Sequence, residues 1–289
     1  LISQDLKEKN KHLVFLGKYK NDNIFDGWYG IDEFNKSNKN RDITLNNFKI
    51  KKFGSIDISI NKKDKKINVI KTGKDGKLLI HDGKINNWVI NFLDNTSIEK
   101  SKVSRRDKNG LTGCVTFKNL EIEKLRITAN NANCEDAVNF IRSNGKIEEI
   151  NISNSLFDGL DSDFSNLDFK KIIIKNSGND CTDFSFGNYN INDSLMSYCG
   201  DKGISAGEIS TLKVNKLDIS NSKSAVASKD FSTVEIENFS SNFSENCLQA
   251  YNKKQEFSGG YIKSINFKCE NYVNLIDVDK TSNIEILYK

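Results

Sequence analysis

The sequence has no proline, one methionine, two histidines (His12 and His81) and no Cys-X-X-Cys pair among its six cysteines. Without clustered His and Cys, neither a tetrahedral zinc centre nor a Cys–His nucleophile can be assembled. No apolar run approaches the roughly 18 residues that a membrane-spanning helix needs. No signal-peptide pattern follows Leu1, and that start predicts a mature or excised piece of a longer chain. A dominant charge is lacking too: 43 basic and 39 acidic residues leave a net charge of +4. An excess so small and so intermixed is no nucleic-acid footprint, and the Lys–Asn run at 35–41 reads as solvated loop.

What is present is a repeat. The segments AVNFIRS (137–143), GLDSDFS (159–165), CTDFSFG (181–187), ISAGEIS (204–210) and VASKDFS (226–232) start 22, 22, 23 and 22 residues apart. A second run of apolar alternation follows four of them, at 147–153, 169–175, 212–220 and 234–240. Short strands bounded by Asn, Ser, Gly and Asp at this period predict an all-β fold, a single-stranded right-handed parallel β-helix of roughly 22-residue coils. One coil cannot bury its apolar side alone, so stacking is required. The absence of proline fits, because interior strands need every N–H for the neighbouring coil. No helix-period segment separates the strands, which excludes a leucine-rich-repeat horseshoe. Weaker copies run upstream through Ile43–Ile50, Ile56–Ile60, Ile67–Ile70, Leu78–Ile80 and Trp88–Phe92, and downstream to Ile284–Tyr288. The predicted organisation is an irregular cap or upstream tail over 1–40 and one β-helix over 41–289.

Aligning the five segments stacks acidic residues. One column reads Asn139, Asp161, Asp183, Ala206, Ser228, and the next Ile141, Asp163, Ser185, Glu208, Asp230. Asp136, Asp158 and Asp180 stack just before the strand. The alternate column (Arg142, Phe164, Phe186, Ile209, Phe231) reads as core, which turns the acidic columns outward. Ala137, Gly159, Cys181, Ile204 and Val226 share the acidic parity, so the strand must dip inward at its start. Two carboxylates one rung apart repel by about 1 kcal/mol in water and about 4 kcal/mol at a half-buried surface. Calcium held by Asp136, Asp158, Asp161, Asp163, Asp180 and Asp183, the cations Lys202 and Lys229, or protonation would offset this. Purely structural Asx and Ser ladders are the competing reading, and Ser143, Ser165, Ser210 and Ser232 are assigned to it. The cysteine spacings of 20 (114 to 134), 18 (181 to 199) and 22 (247 to 269) are near one coil and allow stacked pairs, but free core cysteines are the expectation.

The strings NCEDAVNFIRS, FDGLDSDFS, GNDCTDFS, GDKGISAGEIS and SKDFS resemble the Asp-rich right-handed β-helix domains of bacterial surface and envelope proteins. Some of those are joined to CotH-type kinase modules. DGWYGI (26–31) and LTGCVTF (111–117) are similar to earlier parts of that pattern. The wider likeness is to the pectate-lyase-like superfamily, which holds lyases, hydrolases, epimerases and non-enzymatic surface proteins. It implies an extracellular, cell-surface or periplasmic protein meeting an acidic polysaccharide. Three functions stay open. A lyase would use calcium on the Asp columns and Lys202 or Lys229 as base. A glycoside hydrolase would use a carboxyl pair such as Asp161 and Asp163, or Asp183 and Glu208, with Asp230 in the same stripe. A non-catalytic module of a larger envelope or phage-tail protein would bind glycan or calcium, or act as a spacer. Tyr198, Tyr189 and Trp28 are candidate sugar-stacking rings.

Overall fold

The computed structural model describes residues 42–45, 47–97, 100 and 103–287, so the predicted 1–40 segment, with Trp28 and the 26–31 string, lies outside the described residues. Within them, nineteen strands join one continuous sheet. From strand Lys66–Lys71 onward every pairing between coils is parallel. The chain is therefore a β-solenoid of about ten turns with a period of about 22 residues. Of the upstream copies, those at 67–70, 78–80 and 88–92 join the parallel stack, but the first two do not: Ile43–Leu45 pairs antiparallel with Phe48–Phe53, which pairs antiparallel with the start of Lys77–Asp94, and Ile56–Asn61 pairs antiparallel with Lys66–Lys71. They cover the first coil, burying Leu45, Phe48, Phe53 and Ile56.

The interior is built from columns of equivalent residues. Val138, Leu160, Thr182, Ile204, Val226 and Leu248 stack in register, as do Phe140, Ser162, Phe184, Ala206, Ser228 and Ala250. All are buried, and each aliphatic or aromatic member contributes about 1.5–3 kcal/mol through apolar burial. Ala137 and Cys181 are buried beside them at the start of the strand.

Two expectations fail here. The first is the register after 187. Thr182 pairs with Ile204 and Asp183 with Ser205, so the last two segments belong one residue earlier in the alignment. The 23-residue step places its extra residue at Glu208–Ile209, both at positive φ, rather than before the strand. The second is the column Arg142, Phe164, Phe186, Ile209, Phe231. All five sit at positive φ on an outer corner, and Ile209 and Phe231 are 55% and 56% exposed. The αL conformation directs these side chains away from the core, as it does for Asn131, Asn154 and Asn176 at another corner. Those asparagines offset the cost of their conformation by bonding along the stack, Asn154 Nδ2 to Asn131 Oδ1 at 3.0 Å and Asn176 Nδ2 to Asn154 Oδ1 at 2.8 Å.

The cysteines are also corrected: none is free among the described residues. Cys114–Cys134, Cys181–Cys199 and Cys247–Cys269 are disulfides with Cα separations of 5.5, 5.2 and 6.3 Å. Each joins one coil to the next, since one turn of chain returns to within a strand spacing of its start. Closing a loop of this length stabilises the fold by about 3 kcal/mol. Replacing any one pair, for example Cys181→Ser with Cys199→Ser, is expected to cost about 2–4 kcal/mol, read as a lower urea midpoint.

Candidate functional site

The outward columns of the first strand in each coil form a carboxyl face. In the realised register one column reads Asn139, Asp161, Asp183, Ser205, Ala227, and the next runs from Asp163 to Ser185 and Gly207. Asp136, Asp158, Asp180 and Lys202 occupy the corner at which the strand begins. Two insertions that break the repeat border this face. Residues 103–112 run along the strand starts, where Arg105 meets Glu135 at 3.4 Å and Asn139 Nδ2 donates to Thr112 Oγ1 at 3.1 Å. Lys77 holds this segment by donating to the carbonyls of Leu111 and Thr112. Residues 252–260 run along the strand ends, where Phe257 packs edge-on against Phe186 and Phe231.

The acidic groups point away from the core without reaching open water. Asp136 and Asp180 are buried, and Asp158, Asp161, Asp163 and Asp183 are half-buried. The corner column bonds the backbone of the next coil. Asp158 Oδ1 accepts from the Asp180 N–H at 2.8 Å, and Asp180 Oδ1 from the Lys202 N–H at 3.0 Å. Asn139 Nδ2 bridges Asp136 (3.1 Å) and Asp161 (2.8 Å). Burial, followed by the charges of Asp180 and Asp136, pushes Asp158 up to about 8. Burial and the Asp183 charge raise Asp163 to about 7. Asp136 and Asp180 rise to about 6, each mainly through burial. Asp161 is driven well above its usual range by burial and the adjacent Asp163. Much of this face therefore carries protons near neutral pH.

At its far end the face changes sign. Lys229 Nζ donates to Ser205 Oγ at 2.8 Å and lies 3.7 Å from Asp183 Oδ1. Lys202 Nζ lies 3.5 Å from Asp180 Oδ1 and contacts Asp201. Burial works to lower both ammonium pKa values, but the surrounding carboxylates outweigh it and hold both above the ordinary lysine value. Both lysines are thus firmly protonated. Glu208 is the opposite of the aspartates: burial would raise it, but Lys254 and the 2.5 Å bond from Ser185 Oγ hold it below its usual value.

Several candidates are not brought together. Asp183 and Glu208 are not rung neighbours, because Asp183 pairs with Ser205. Asp230 is fully buried, and its Oδ1 accepts the N–H groups of Lys253 and Lys254, both at 2.8 Å, anchoring the 252–260 insertion. Ser143, Ser165 and Ser232 bond turn backbone: Leu120 N–H to Ser143, Ser143 N–H to Ser165 and Lys229 N–H to Ser232. Tyr189 is core, its hydroxyl donating to the Ser162 carbonyl, while Tyr198 is exposed on a different corner. Phe164 and Phe186 stack face to face at 4.6 Å, and Arg142 lies 5.8 Å from the Phe164 ring centroid, so the two facing ring surfaces are already occupied. Among the described residues, no three His, Cys, Asp or Glu side chains are placed to hold a metal ion. A separate open groove of about 830 Å³ lies on another face. There Lys146, Asp168, Asn190, Lys213, Glu235 and Lys263 stack in register, a column of mixed sign.

Sequence reasoning missed Lys254, Ser205 and Lys77 as members of this site, and placed Ser185 in the acidic column without its bond to Glu208. Lys254 lies in an insertion betrayed by a 28-residue step, Leu248 to Ile276, beyond the five aligned segments. Comparison with protein-family models, with curated proteins and with solved structures yields no match.

A stability test follows from the raised carboxyls. The folded chain keeps protons that the unfolded chain releases above about pH 4. Their contribution is complete below that pH and is lost as pH climbs through 6 to 8. Glu208 acts with the opposite sign, its contribution disappearing only as pH falls through the acid range. The urea midpoint is therefore expected to fall between pH 5 and pH 8, and Asp158→Asn to flatten that fall. A midpoint that rises over this interval contradicts the assignment.

Proposed function

We propose that the protein hydrolyses a polysaccharide laid along the solenoid across the carboxyl face, with Asp163 as proton donor and Glu208 as the ionised partner. The observation that carries this reading is their divergence: burial and Asp183 raise Asp163 to about 7, while Lys254 and Ser185 keep Glu208 charged. Carboxyl groups pushed apart in this way are matched to general acid and general base work. Ser185 stands between them, paired in register with Asp163 and bonded to Glu208. Gly207, the residue before Glu208, lies two rungs from Asp163, about 9–10 Å of backbone, close to the separation of about 6.5–9.5 Å that leaves room for water in inverting hydrolysis. Asp163 protonates the bridging oxygen as the glycosidic C–O bond breaks. Glu208 takes a proton from the water that attacks the opposite face of the sugar.

The lyase reading is less well supported, because Lys202 and Lys229 are held protonated and cannot act as base. Protons on Asp158 and Asp163 reduce the repulsion that a uronate polymer would meet there, so the face suits an acidic or a neutral glycan. Calcium taken up between Asp161 and Asp183 would strengthen the lyase reading, and proton release on calcium addition is its signature. We take the coil as right-handed, in keeping with strand twist, and the protein as extracellular, which three disulfides suit. The non-catalytic reading draws on one observation, the backbone bonds accepted by Asp158 and Asp180, which give the corner column a structural use of its own.

The test is a product assay on neutral and acidic polysaccharides, with calcium and with chelator. New reducing ends are expected, with activity declining above about pH 7 as Asp163 ionises. Asp163→Asn is expected to lose about 100-fold or more while its far-ultraviolet circular dichroism is unchanged. Unsaturated products lost on chelation would overturn hydrolysis in favour of elimination. Silence across the panel would leave the binding module.

A further inference from the structure

The corner that carries Tyr198 is a column of asparagines interrupted by two rings. Asn131, Asn154 and Asn176 are followed, one rung at a time, by Tyr198, Asn221 and Phe243, all at positive φ. Asparagine suits this place, since it tolerates αL and its amide bonds to the amide of the next coil. A ring gives up that ladder bond. Asn271, next after Phe243, donates to Asn242 Oδ1 at 2.8 Å instead. Tyr198 and Phe243 are nevertheless left 55% and 57% exposed. At the other ring-bearing corner the rings satisfy one another, Phe164 on Phe186 and Phe231 on Phe257. Among the described residues Tyr198 and Phe243 have no such ring partner. Rings that forfeit a bond and hold a costly conformation in the open point to a ligand that supplies the missing contact.

A groove continues the same line. Asn131, Asn154 and Asn176 border an open groove of about 640 Å³ that the 94–97 segment also lines. The only charged residue lining it, among the described residues, is Asp94, which is already paired with buried Lys71 at 2.8 Å. From Asn131 to Phe243 the column climbs five rungs, about 24 Å. We infer that this corner binds a linear neutral polysaccharide lengthwise, its sugar rings stacked on Tyr198 and Phe243 and its hydroxyls bonded to the column's amides. The two rings stand two rungs apart, about 9–10 Å, the length of a disaccharide in an extended chain, so alternate sugars meet a ring. The C–H face of a sugar suits an aromatic face, and its hydroxyl edge suits a carboxamide that both donates and accepts. Asn221, between the rings, is placed for the intervening sugar. With Asp94 neutralised, the groove has no charge to select an acidic polymer. The Cys181–Cys199 disulfide braces the backbone beside Tyr198, which reduces the ordering that binding requires. This site lies on a different corner from the carboxyl face and does not rest on the hydrolytic reading.

The experiment is nitration of the full chain by tetranitromethane, with the modified tyrosines located by peptide mass. It is titrated with cellohexaose, mannohexaose and hexagalacturonate. Tyr198 is expected to react in the free chain, and to be protected by a neutral hexasaccharide but not by the galacturonate. Phe243→Ala is expected to raise the sugar concentration needed for protection by about 10-fold. Phe231→Ala, at the other corner, is expected to leave that concentration unchanged. Because protection is read at Tyr198 itself, a sugar held on the carboxyl face does not contribute, and the two readings fail separately. Circular dichroism checks that each variant folds, and protection of the unmodified chain requires no variant. A Tyr198 already shielded in the free chain, no protection by either neutral sugar, protection by the galacturonate alone, or an equal loss in both alanine variants would each overturn the inference.

Discussion

The in-register ladder between coils is the constraint on which the rest of this molecule depends. Parallel backbone pairing fixes each coil at one strand spacing, about 4.8 Å, above the last. Every residue is thereby placed directly over its equivalent one turn earlier. Apolar residues gain from this, as the column from Val138 to Leu248 shows. Asparagines at outer corners gain too, because an amide is both donor and acceptor and can bond to its own kind. Carboxylates do not, and the ladder gives them no freedom to separate.

The carboxyl face is the outcome of that conflict. Asp161 and Asp183 are stacked by register on a half-buried face that the insertions at 103–112 and 252–260 border. The relief differs along the axis. Toward Asp158 and Asp163 it comes from protons, whereas around Asp183 and Glu208 it comes from Lys229 and Lys254. A single face thus carries neutral acids beside an ionised one. That contrast is a more specific feature than the number of acidic residues, since any Asp-rich ladder has the latter.

The disulfides and insertions show how departures from the repeat carry its individuality. Cys114–Cys134, Cys181–Cys199 and Cys247–Cys269 each tie successive turns at one corner, an arrangement open to a solenoid because one turn brings the chain back beside itself. The insertions supply Lys254 and the segment pinned by Lys77. Neither could belong to the carboxyl face by periodicity alone.

Period, strand content and the stacking of Asp136 with Asp158 and of Asp161 with Asp183 were legible in the sequence, because a 22-residue repeat with period-2 alternation admits few other folds. What lay beyond it turned on one residue. A 23-residue step can absorb its extra residue anywhere in the coil, and only backbone pairing places it at Glu208–Ile209. That choice moved Ala206 into the core and put Ser205 over Asp183, while the positive φ of Phe164, Phe186 and Phe231 at their corner turned those rings outward. Cysteine pairing and protonation were decided at the same level, because both depend on distances and burial across coils rather than on order along the chain. The sequence alone determined that a β-solenoid would stack acid on acid; the tertiary structure decided which acids keep their protons, because desolvation and neighbouring charge exist only once the coils are in place.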